Sequence, residues 1–296
     1  MEFFFENEID NCQTLWESFS PRKTLFDDWE YRTCFYEGYK NQPHFIVGKE
    51  NGIPTGILPL WYEKKGKYYT FFGGLFPENN TFFLRDKSQI NSYLSECPVE
   101  TWLCYIHASE KEHYPFAETE TKYYLDMSLY DCDIERYLSC FDKKHRKNLR
   151  YDLKQLAKLN YSFRYNQISD FEKLIELNKK RFGGESDYSE DEMIQSMHHM
   201  MNTALSKGEL NLVSLIIDDK PEAVEFAISY DGTYTILSGG RNIEIENIGK
   251  PMVLEHIRNA LAQGISKIDF LSSDTGWKKS WHLKEEPVYE YKNYVK

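Results

Sequence analysis

The sequence predicts an α/β (α+β) protein of two similar units, each with a mixed, mostly antiparallel sheet flanked by helices. The main observation is a strand pattern that occurs twice, at residues 45–74 and 213–240. Each copy has an apolar strand, a tight turn ending in Pro54 or Pro221, a second strand, a polar turn and a strand that closes on Gly-Gly. Amphipathic helix patterns around the second copy are the other observation. A repeat at half the chain length fits two α/β units, because solenoid repeats span about 20–50 residues. The alternative is a chance match of common hairpin sequences.

The composition allows two cores and argues against a nucleic-acid-binding surface. A chain of 296 residues fits one large domain or two of ordinary size. Hydrophobic residues make up 41% and aromatic residues 16% of the chain, which suffices to build cores. The net charge is -11, whereas phosphate contacts need clustered Lys and Arg. We therefore expect no DNA partner.

The cysteines and the apolar segments indicate an intracellular protein. The 6 Cys residues show no C-x-x-C and no paired Cys/His spacing, so we expect reduced thiols and no metal site. The N-terminal MEFFFENEID has acids on both sides of its Phe residues and no long apolar region, unlike a signal peptide. No stretch approaches the roughly 18–20 apolar residues of a transmembrane span. We therefore expect a cytoplasmic location.

A basic helix pattern marks the expected boundary between an N-terminal unit, 1–142, and a C-terminal unit, 143–296. Residues 143–160 hold seven Lys/Arg against one Asp, within an acidic chain. At about 100° per residue, the basic and the leucine side chains separate onto two stripes. The basic stripe is either a solvated face or a positive wall that steers an anionic substrate or cofactor. It consists of Lys143, Lys147, Arg150, Lys154 and Lys158, and the apolar stripe consists of Leu149, Leu153 and Leu156.

Local start and stop signals predict the other helices and strands. Two Ser-x-x-Glu capping boxes, at Ser169 and Ser189, predict the starts of two helices, and Gly208 ends the second. Pro251 opens a later helix that Gly264 ends. The order in the second half is thus helices, antiparallel strands, helix, strand. The remaining predicted strands lie at 266–272, near 101–107 and near 122–128.

Five features of the second half occur in the order of a known family. They are the basic helix, the strand pair around Pro221, the helix start Gly249-Lys250-Pro251, the strand Ile268-Asp269-Phe270 and the closing GWKKSW at 276–281. Over residues 143–282 the chain resembles the acetyltransferase domain of proteins associated with cellulose and exopolysaccharide biosynthesis, within the GNAT (N-acetyltransferase) superfamily. That group is similar to the Fem-type transferases, which are tandem GNAT folds. The resemblance implies a tandem GNAT-like (acyl-CoA N-acyltransferase) fold that transfers an acyl group to an amine, with an acyl-CoA or an aminoacyl-tRNA as donor.

Acyl transfer to an amine needs a base for the ammonium proton, and Glu225 is the candidate. The strand Glu222–Tyr230 has one core face and one face of small residues around this carboxylate. Small neighbours leave room for a ligand, and partial burial would suit a base. The alternative is that Glu225 is solvated or pairs with an Arg. The N-terminal copy has Leu58 at the equivalent place, so we expect that unit to be structural and to shape the acceptor groove. The core face is Val224, Phe226 and Ile228, and the other face is Ala223, Glu225, Ala227 and Ser229.

The pyrophosphate loop of the GNAT family is only partly present. Its pattern, Arg/Gln-x-x-Gly-x-Gly/Ala, leads into a helix whose free N–H groups bind the anion. Placed on residues 244–249, it puts Glu244 at the basic position and Asn247 at the first Gly, so only Gly249 matches. Gly249 and Lys250 are the residues we expect to bind acyl-CoA, the implied co-substrate. The departure keeps an aminoacyl-tRNA donor open, although the acidic chain counts against tRNA.

Residues after two strands are further candidates. Arg241 follows Gly239-Gly240, where a substrate would enter, and the alternative is an ordinary surface Arg. In the family, a Lys and an aromatic residue three positions later recur near the C-terminus, where this chain has Lys278 and Trp281. Lys278 is a second catalytic candidate, for an acidic substrate group or the oxyanion, or else it caps a helix end. Asp269 and Trp281 are substrate-binding candidates, with core packing as the alternative for Trp281. Asp274 and His282 lie in the same block.

The resemblance and these residues predict an N-acyltransferase. It would move an acyl group, expected to be acetyl, from acyl-CoA to an amine of a small molecule, a sugar or a cell-envelope precursor. One alternative is a Fem-type aminoacyl transferase that uses aminoacyl-tRNA. The other is a non-catalytic binding protein on the same fold, which the incomplete phosphate loop favours. The chain has no G-x-S-x-G and no P-loop, so neither a hydrolase nor a nucleotide-dependent ligase finds support.

Overall fold

The protein forms two compact units, in a computed structural model that describes residues 1–272 and 276–294. The first unit holds Met1–Lys122, Gln195–Met200 and the residues from Glu286 onwards. The second unit holds Tyr123–Ile194 and Met201–Glu285. None of the helices in the described parts of the chain is long and apolar enough to cross a membrane.

The helices and strands alternate along both halves of the chain. Up to residue 126 they are β1 (Glu2–Glu6), α1 (Ile9–Phe19), α2 (Trp29–Tyr39), β2 (Gln42–Glu50), β3 (Ile53–Glu63), β4 (Tyr68–Phe71), β5 (Phe83–Leu84), α3 (Ile90–Ser95), β6 (Trp102–Ile106) and β7 (Ala117–Asp126). After that they are α4 (Ile134–Ser139), α5 (Lys143–Ala157), β8 (Ser162–Tyr165), α6 (Asp170–Phe182), α7 (Asp191–Lys207), β9 (Leu210–Ile217), β10 (Lys220–Tyr230), β11 (Thr233–Arg241), α8 (Gly249–Ala262), β12 (Lys267–Asp269) and β13 (Lys284–Lys292).

The two units share one order of elements. In the first, β1 is followed by two helices and then by β2, β3 and β4, and the sheet order is β1-β2-β3-β4 with antiparallel pairs. In the second, β8 is followed by α6 and α7 and then by β9, β10 and β11, and the sheet order is β8-β9-β10-β11, again antiparallel. A helix and a further strand follow in each half. The predicted fold class, mixed α/β with mostly antiparallel sheets, is confirmed, and the two segments of the predicted repeat have the same connectivity.

Each unit contains a strand pair that joins the two halves of the sequence. In the first unit β13 pairs with β6, with Tyr289 opposite Ile106 and Tyr291 opposite Leu103. In the second unit the end of β7 pairs with β12, with Leu125 opposite Ile268. The compact units therefore cross residue 142. The boundary predicted between residues 142 and 143 separates the two copies of the sequence repeat, and it stays a prediction.

Helix α5 has the two faces that the sequence predicts. Asp142 caps its first turn by accepting a hydrogen bond from the backbone N–H of His145 at 2.8 Å. Leu149 and Leu156 are buried, and Leu153 packs against the same core. Because the lysines of the basic stripe point away from that core, they remain exposed.

The two predicted capping boxes are wrong. Ser169 has helical dihedral angles (φ -61, ψ -18), and its hydroxyl accepts from the Gln167 side chain at 2.9 Å instead of capping α6. Helix α7 begins one residue later than its box predicts, with Glu190 at its N-cap and no side-chain cap. The predicted stops are correct, because Gly208 and Gly264 both have positive φ angles after α7 and α8.

The Gly-Gly pairs that close the two repeats have different conformations. Gly73 and Gly74 follow β4 as a turn with φ angles of 98 and 86. Gly239 and Gly240 lie inside β11 and have no positive φ. The first pair therefore serves a turn that only glycine adopts easily, whereas the second pair serves close packing within a strand.

Candidate active site

Glu225 lies on β10 in the small-residue setting that its strand pattern predicts. Its cross-strand partner is Gly239, and a Cβ added to Gly239 would lie 2.9 Å from Cγ of Glu225. Ala223 and Ala227, on the same face, are buried, and Ala227 packs against residues of α8. The Glu225 side chain is itself 21% exposed. The carboxylate thus lies in a partly open space that small neighbours create.

Strand β11 contains a bulge beside Glu225. Phe226 pairs with Ser238, but the next residue, Ala227, pairs with Ile236, so Leu237 is an extra residue in β11. A bulge reverses the alternation of a strand, and it therefore places Gly239 and Arg241 on the face that carries Glu225.

The strands beside this bulge also separate. Strand β11 pairs in parallel with β12 from Thr233 to Thr235 and then continues to Arg241, whereas β12 ends at Asp269. Among the residues that the structure describes, none pairs with this edge of β11 beyond Thr235, so a ligand's polar groups can pair with the backbone there.

His256, on α8, is the residue beside Glu225 that sequence reasoning missed. Its side chain is fully buried, and its Nε2 atom lies 2.9 Å from Oε2 of Glu225. This contact is bent and lies outside hydrogen-bond geometry. Its other ring nitrogen, Nδ1, lies 2.8 Å from the hydroxyl of Tyr234, which is also buried. The sequence does contain one sign of this residue's role: a histidine lies within the buried stripe that Val253 and Ile257 define.

The start of α8 carries positive charge but no capping side chain. Ile248 occupies the N-cap and forms no side-chain cap. The guanidinium of Arg241 lies against Gly249, because a Cβ there would be 2.3 Å from Nη1. Lys250 forms an ion pair with Asp152, the acid of the basic helix, and both side chains are partly buried. Gly249 and Lys250, the residues predicted to bind phosphate, thus lie at the positive N-terminal end of α8, and Lys250 is already paired with Asp152.

Two histidines lie beside Phe141, and one of them, His145, is close to Lys250. His145 stacks on Phe141 at 4.6 Å, and His282 lies 4.7 Å from the same ring. Burial lowers the pKa of His145, the neighbouring His282 and Lys250 lower it further, and Asp142 opposes them. The first turns of α5 and α8 therefore form one electropositive region.

The loop before α8 is tied to α6 by charge. Glu244, which occupies the basic position of the family's loop pattern, forms an ion pair with Lys180 at 3.1 Å. Burial lowers the pKa of Arg181, and the nearby charge of Arg241 lowers it further, while Glu225 raises it. Within the described part of the chain, no carboxylate lies within 4.0 Å of the Arg241 guanidinium. Arg241 is thus available to an anion.

The C-terminal candidates have structural contacts. The ammonium of Lys278 is buried and donates to the carbonyls of Phe270, Leu271 and Ser272, at 2.7 and 3.0 Å for the first two. These bonds hold the chain after β12, so they do not support the role expected for Lys278 toward the substrate. Asp269 accepts from the Leu271 N–H at 2.9 Å and supports the positive φ of that residue.

Trp281 is also a core residue. Its side chain is buried in the core of the second unit, and its carbonyl accepts from the hydroxyl of Tyr137. Asp274 lies outside the described residues. Among the described residues, no group of three His, Cys, Asp or Glu side chains is arranged to hold a metal ion.

Comparison with known proteins agrees with this geometry. Residues 143–279 match the family model of the acetyltransferase (GNAT) domain. A comparison with curated proteins finds no match. Among solved structures, FemX has a TM-score of 0.60 at 12% identity, over 98% of this chain and 96% of that one. The C-terminal domain of a putative lysylphosphatidylglycerol synthetase from Agrobacterium fabrum has a TM-score of 0.58 at 9% identity, over 95% and 91%. A tandem GNAT protein from the clavulanic acid biosynthesis pathway has a TM-score of 0.56 at 6% identity, over 100% and 99%.

At these identities the structural matches concern the fold alone, while the family model concerns residues 143–279, where Glu225, His256 and the start of α8 lie. The matches to FemX and to the tandem GNAT protein span nearly the whole of both chains. The chain therefore has a GNAT-type fold, and its residues 143–279 match the model of the acetyltransferase (GNAT) domain.

Proposed function

We propose that the protein is an N-acyltransferase that moves an acyl group, expected to be acetyl, from acyl-CoA to an amine. The acceptor would be a small molecule, a sugar or a cell-envelope precursor. The observation that carries the proposal is the partly exposed carboxylate of Glu225 beside the point where β11 and β12 separate. The match of residues 143–279 to a GNAT acetyltransferase domain supports it.

In this reaction Glu225 is the base. The acceptor enters as an ammonium ion, and the Glu225 carboxylate takes its proton, directly or through one water. The neutral amine then attacks the thioester carbonyl, the C–N bond forms and the C–S bond breaks. The thiolate leaves as CoA and receives the proton released from the attacking nitrogen. The N-terminal unit lacks such a group, because Leu58 at the equivalent place is fully buried in an apolar core.

Replacing Glu225 by Gln tests the base. The two side chains have the same shape, so Glu225→Gln should lower kcat by roughly 10²–10⁴-fold, as for loss of a general base, with little change in Tm. Release of CoA thiol from acetyl-CoA, with a panel of amino sugars and amino acids as acceptors, measures the rate. Glu222→Gln, on the same strand, is the matched control and should stay near the wild-type rate. Wild-type turnover in Glu225→Gln would remove Glu225 from the mechanism.

The phosphates of the donor would lie at the start of α8. The uncapped first turn and Lys250 attract an anion, and the exposed lysines of α5 add a favourable field. A bound phosphate would compete with Asp152 for Lys250.

Calorimetric titration of CoA and acetyl-CoA tests this location. Lys250→Gln should weaken binding by roughly tenfold, because one charge-assisted hydrogen bond is lost. Asp152→Asn breaks the same ion pair but leaves the lysine, so it should bind at least as tightly as the wild type. Added salt should weaken binding in each protein that keeps Lys250. Equal affinity in wild type and Lys250→Gln would show that the phosphates bind elsewhere.

The alternative function is aminoacyl transfer from aminoacyl-tRNA. The fold shared with FemX and the basic face of α5 favour it, whereas the net charge of -11 counts against it. Absence of any CoA binding in the same titration would favour this alternative or a non-catalytic role. The resemblance to acetyltransferase domains associated with cellulose and exopolysaccharide biosynthesis stays a prediction, and it would favour a sugar or cell-envelope precursor as the acceptor.

A further inference from the structure

A hydrogen-bond chain in the second unit leads from a backbone carbonyl to His256. It begins at the carbonyl oxygen of Glu209, which can only accept. The side-chain amide of Asn211 donates to it at 3.1 Å, which fixes the orientation of that amide. The Oδ1 atom of Asn211 therefore accepts, and it does so from Asn259 at 3.1 Å and from Gln263 at 2.7 Å.

The next step in the chain fixes the hydroxyl hydrogen of Tyr234. The Nδ2 atom of Asn259, which donates to Asn211, also donates to the Tyr234 hydroxyl at 3.2 Å. That hydroxyl accepts from Asn259, and Nδ1 of His256, at 2.8 Å, is the acceptor within reach of its hydrogen. If Nδ1 carried a hydrogen instead, the buried hydroxyl would accept twice and leave its own hydrogen unused. Burial raises the pKa of Tyr234, so its hydroxyl stays protonated and able to donate.

The tautomer of His256 follows from these bonds. A neutral imidazole carries one hydrogen, and a ring nitrogen that accepts a hydrogen bond cannot carry it. Since Nδ1 accepts from Tyr234, the hydrogen is on Nε2, which lies 2.9 Å from Oε2 of Glu225. Rotation of the two side chains would align this contact, and catalytic hydrogen bonds are often poorly aligned before substrate binds.

We propose that His256 is a positioning residue: as the Nε2–H tautomer it holds Oε2 of Glu225 and directs Oε1 toward the acceptor amine. Tyr234 keeps His256 in that tautomer. The role in catalysis rests on the proposed function, in which Glu225 is the base, whereas the tautomer itself does not. A fully buried imidazole in an apolar helix stripe is costly unless both nitrogens are used. Nδ1 is bonded to Tyr234, and Nε2 gains a partner when its contact with Glu225 aligns.

Long-range ¹H–¹⁵N NMR of the histidine-labelled protein tests the tautomer without any substrate. A His256→Gln variant assigns the resonance. We expect the Nε2–H form in the wild type and loss of that fixed form in Tyr234→Phe. Tyr137→Phe is the matched control, because it also removes one buried hydroxyl in the same unit, and it should leave the His256 resonances unchanged. An Nδ1–H form or an imidazolium at pH of about 7 in the wild type would overturn the proposal.

A double-mutant cycle tests the action through Glu225. With acetyl-CoA and an amine acceptor that the wild type uses, Tyr234→Phe should lower kcat by about 10–100-fold and change KM little, as for other residues that orient a histidine. The same substitution in a Glu225→Gln background should cause no further loss. A purely structural role would instead lower the rate equally in both backgrounds and would refute the positioning role.

The two tests separate this proposal from the proposed function. If the wild type transfers no acyl group, the proposed function fails, and the NMR result alone decides the arrangement of His256. If the wild type is active and the cycle shows equal losses, the proposed function stands and the role of His256 is refuted.

Discussion

Gly239 and Gly240 are adjacent in β11 and face opposite sides of the strand. A Cβ at Gly239 would meet the side chain of Glu225, at 2.9 Å from Cγ. A Cβ at Gly240 would lie 2.3 Å from the carbonyl oxygen of Leu174 and 2.9 Å from the amide nitrogen of Asn178, both in α6. One glycine therefore makes room for a flexible carboxylate, while the other allows a helix backbone to lie directly on the sheet.

Alanine at these two positions should have different effects. Gly240→Ala forces α6 away from β11, so the free energy of unfolding should fall by about 1–3 kcal/mol. Gly239→Ala meets only the movable Glu225, so it should change stability less but displace the base. A misplacement of roughly 1 Å can lower the rate by about a hundredfold. Urea unfolding and thiol release measure the two effects. If the two variants lost the same stability and had the same rate, the two glycines would not have these separate roles.

Residues whose role depends on local pattern were predicted, and those that depend on distant partners were not. The face of Glu225 follows from strand alternation, and the sequence shows it directly. The contact with His256 joins a strand to a helix distant in sequence, and no spacing rule connects them. Lys278 resembles a site lysine in the sequence, but three carbonyls bind its ammonium in the folded chain.

Helices α5 and α8 bring their first turns together, which no single helix pattern indicates. The stripes of α5 and the span of α8 agree with prediction because the helical period determines both. The ion pair of Lys250 with Asp152 and the stacking of His145 on Phe141 form only between elements. The lowered pKa of His145 follows first from its burial and then from the neighbouring His282 and Lys250.

The pKa of His145 predicts a loss of stability in mild acid. Its folded-state pKa is below the ordinary 6.5, so between these values the unfolded chain binds a proton that the folded chain does not. Stability should therefore fall as the pH falls below about 6.5. His145→Phe keeps the stacked ring but cannot titrate, so its unfolding free energy should depend less on pH. Urea unfolding between pH of about 7.5 and 5.5 measures the difference, and parallel curves would refute it. The similarly lowered pKa of His44 contributes equally to both proteins.

Across the whole molecule, the repeat is visible in sequence but the exchange of last strands is not. The repeat depends on short segments with the same pattern, which a single pass along the chain detects. The pairing of β13 with β6 joins residues near the two ends of the chain, such as Tyr291 and Leu103. The alternating pattern of β13 would suit pairing with a strand of either repeat, so the pattern alone does not predict its partner.

A substitution late in the chain should therefore loosen an early strand. Tyr289 belongs to the apolar core of the first unit, together with Leu103 and Ile106 of β6. Tyr289→Ala should reduce stability by about 3 kcal/mol, as for other buried aromatic residues. Hydrogen exchange should quicken first in β6 and less in β10. Lys284→Ala, at a partly exposed position of β13 before the residues that pair with β6, is the control and should leave exchange in β6 unchanged. Faster exchange in β10 than in β6 would contradict the pairing.

The strand exchange also has a consequence for biosynthesis. A ribosome releases the N-terminal residues first, and ordinary tandem domains fold one after the other as they emerge. Here β6 lacks its partner β13 until the residues from Glu286 onwards have left the exit tunnel, so it keeps an unpaired edge until then. Such an edge can pair with other nascent chains. The first unit therefore cannot form all its strand pairs as soon as its N-terminal residues emerge, and β6 is the segment that needs protection until β13 is made.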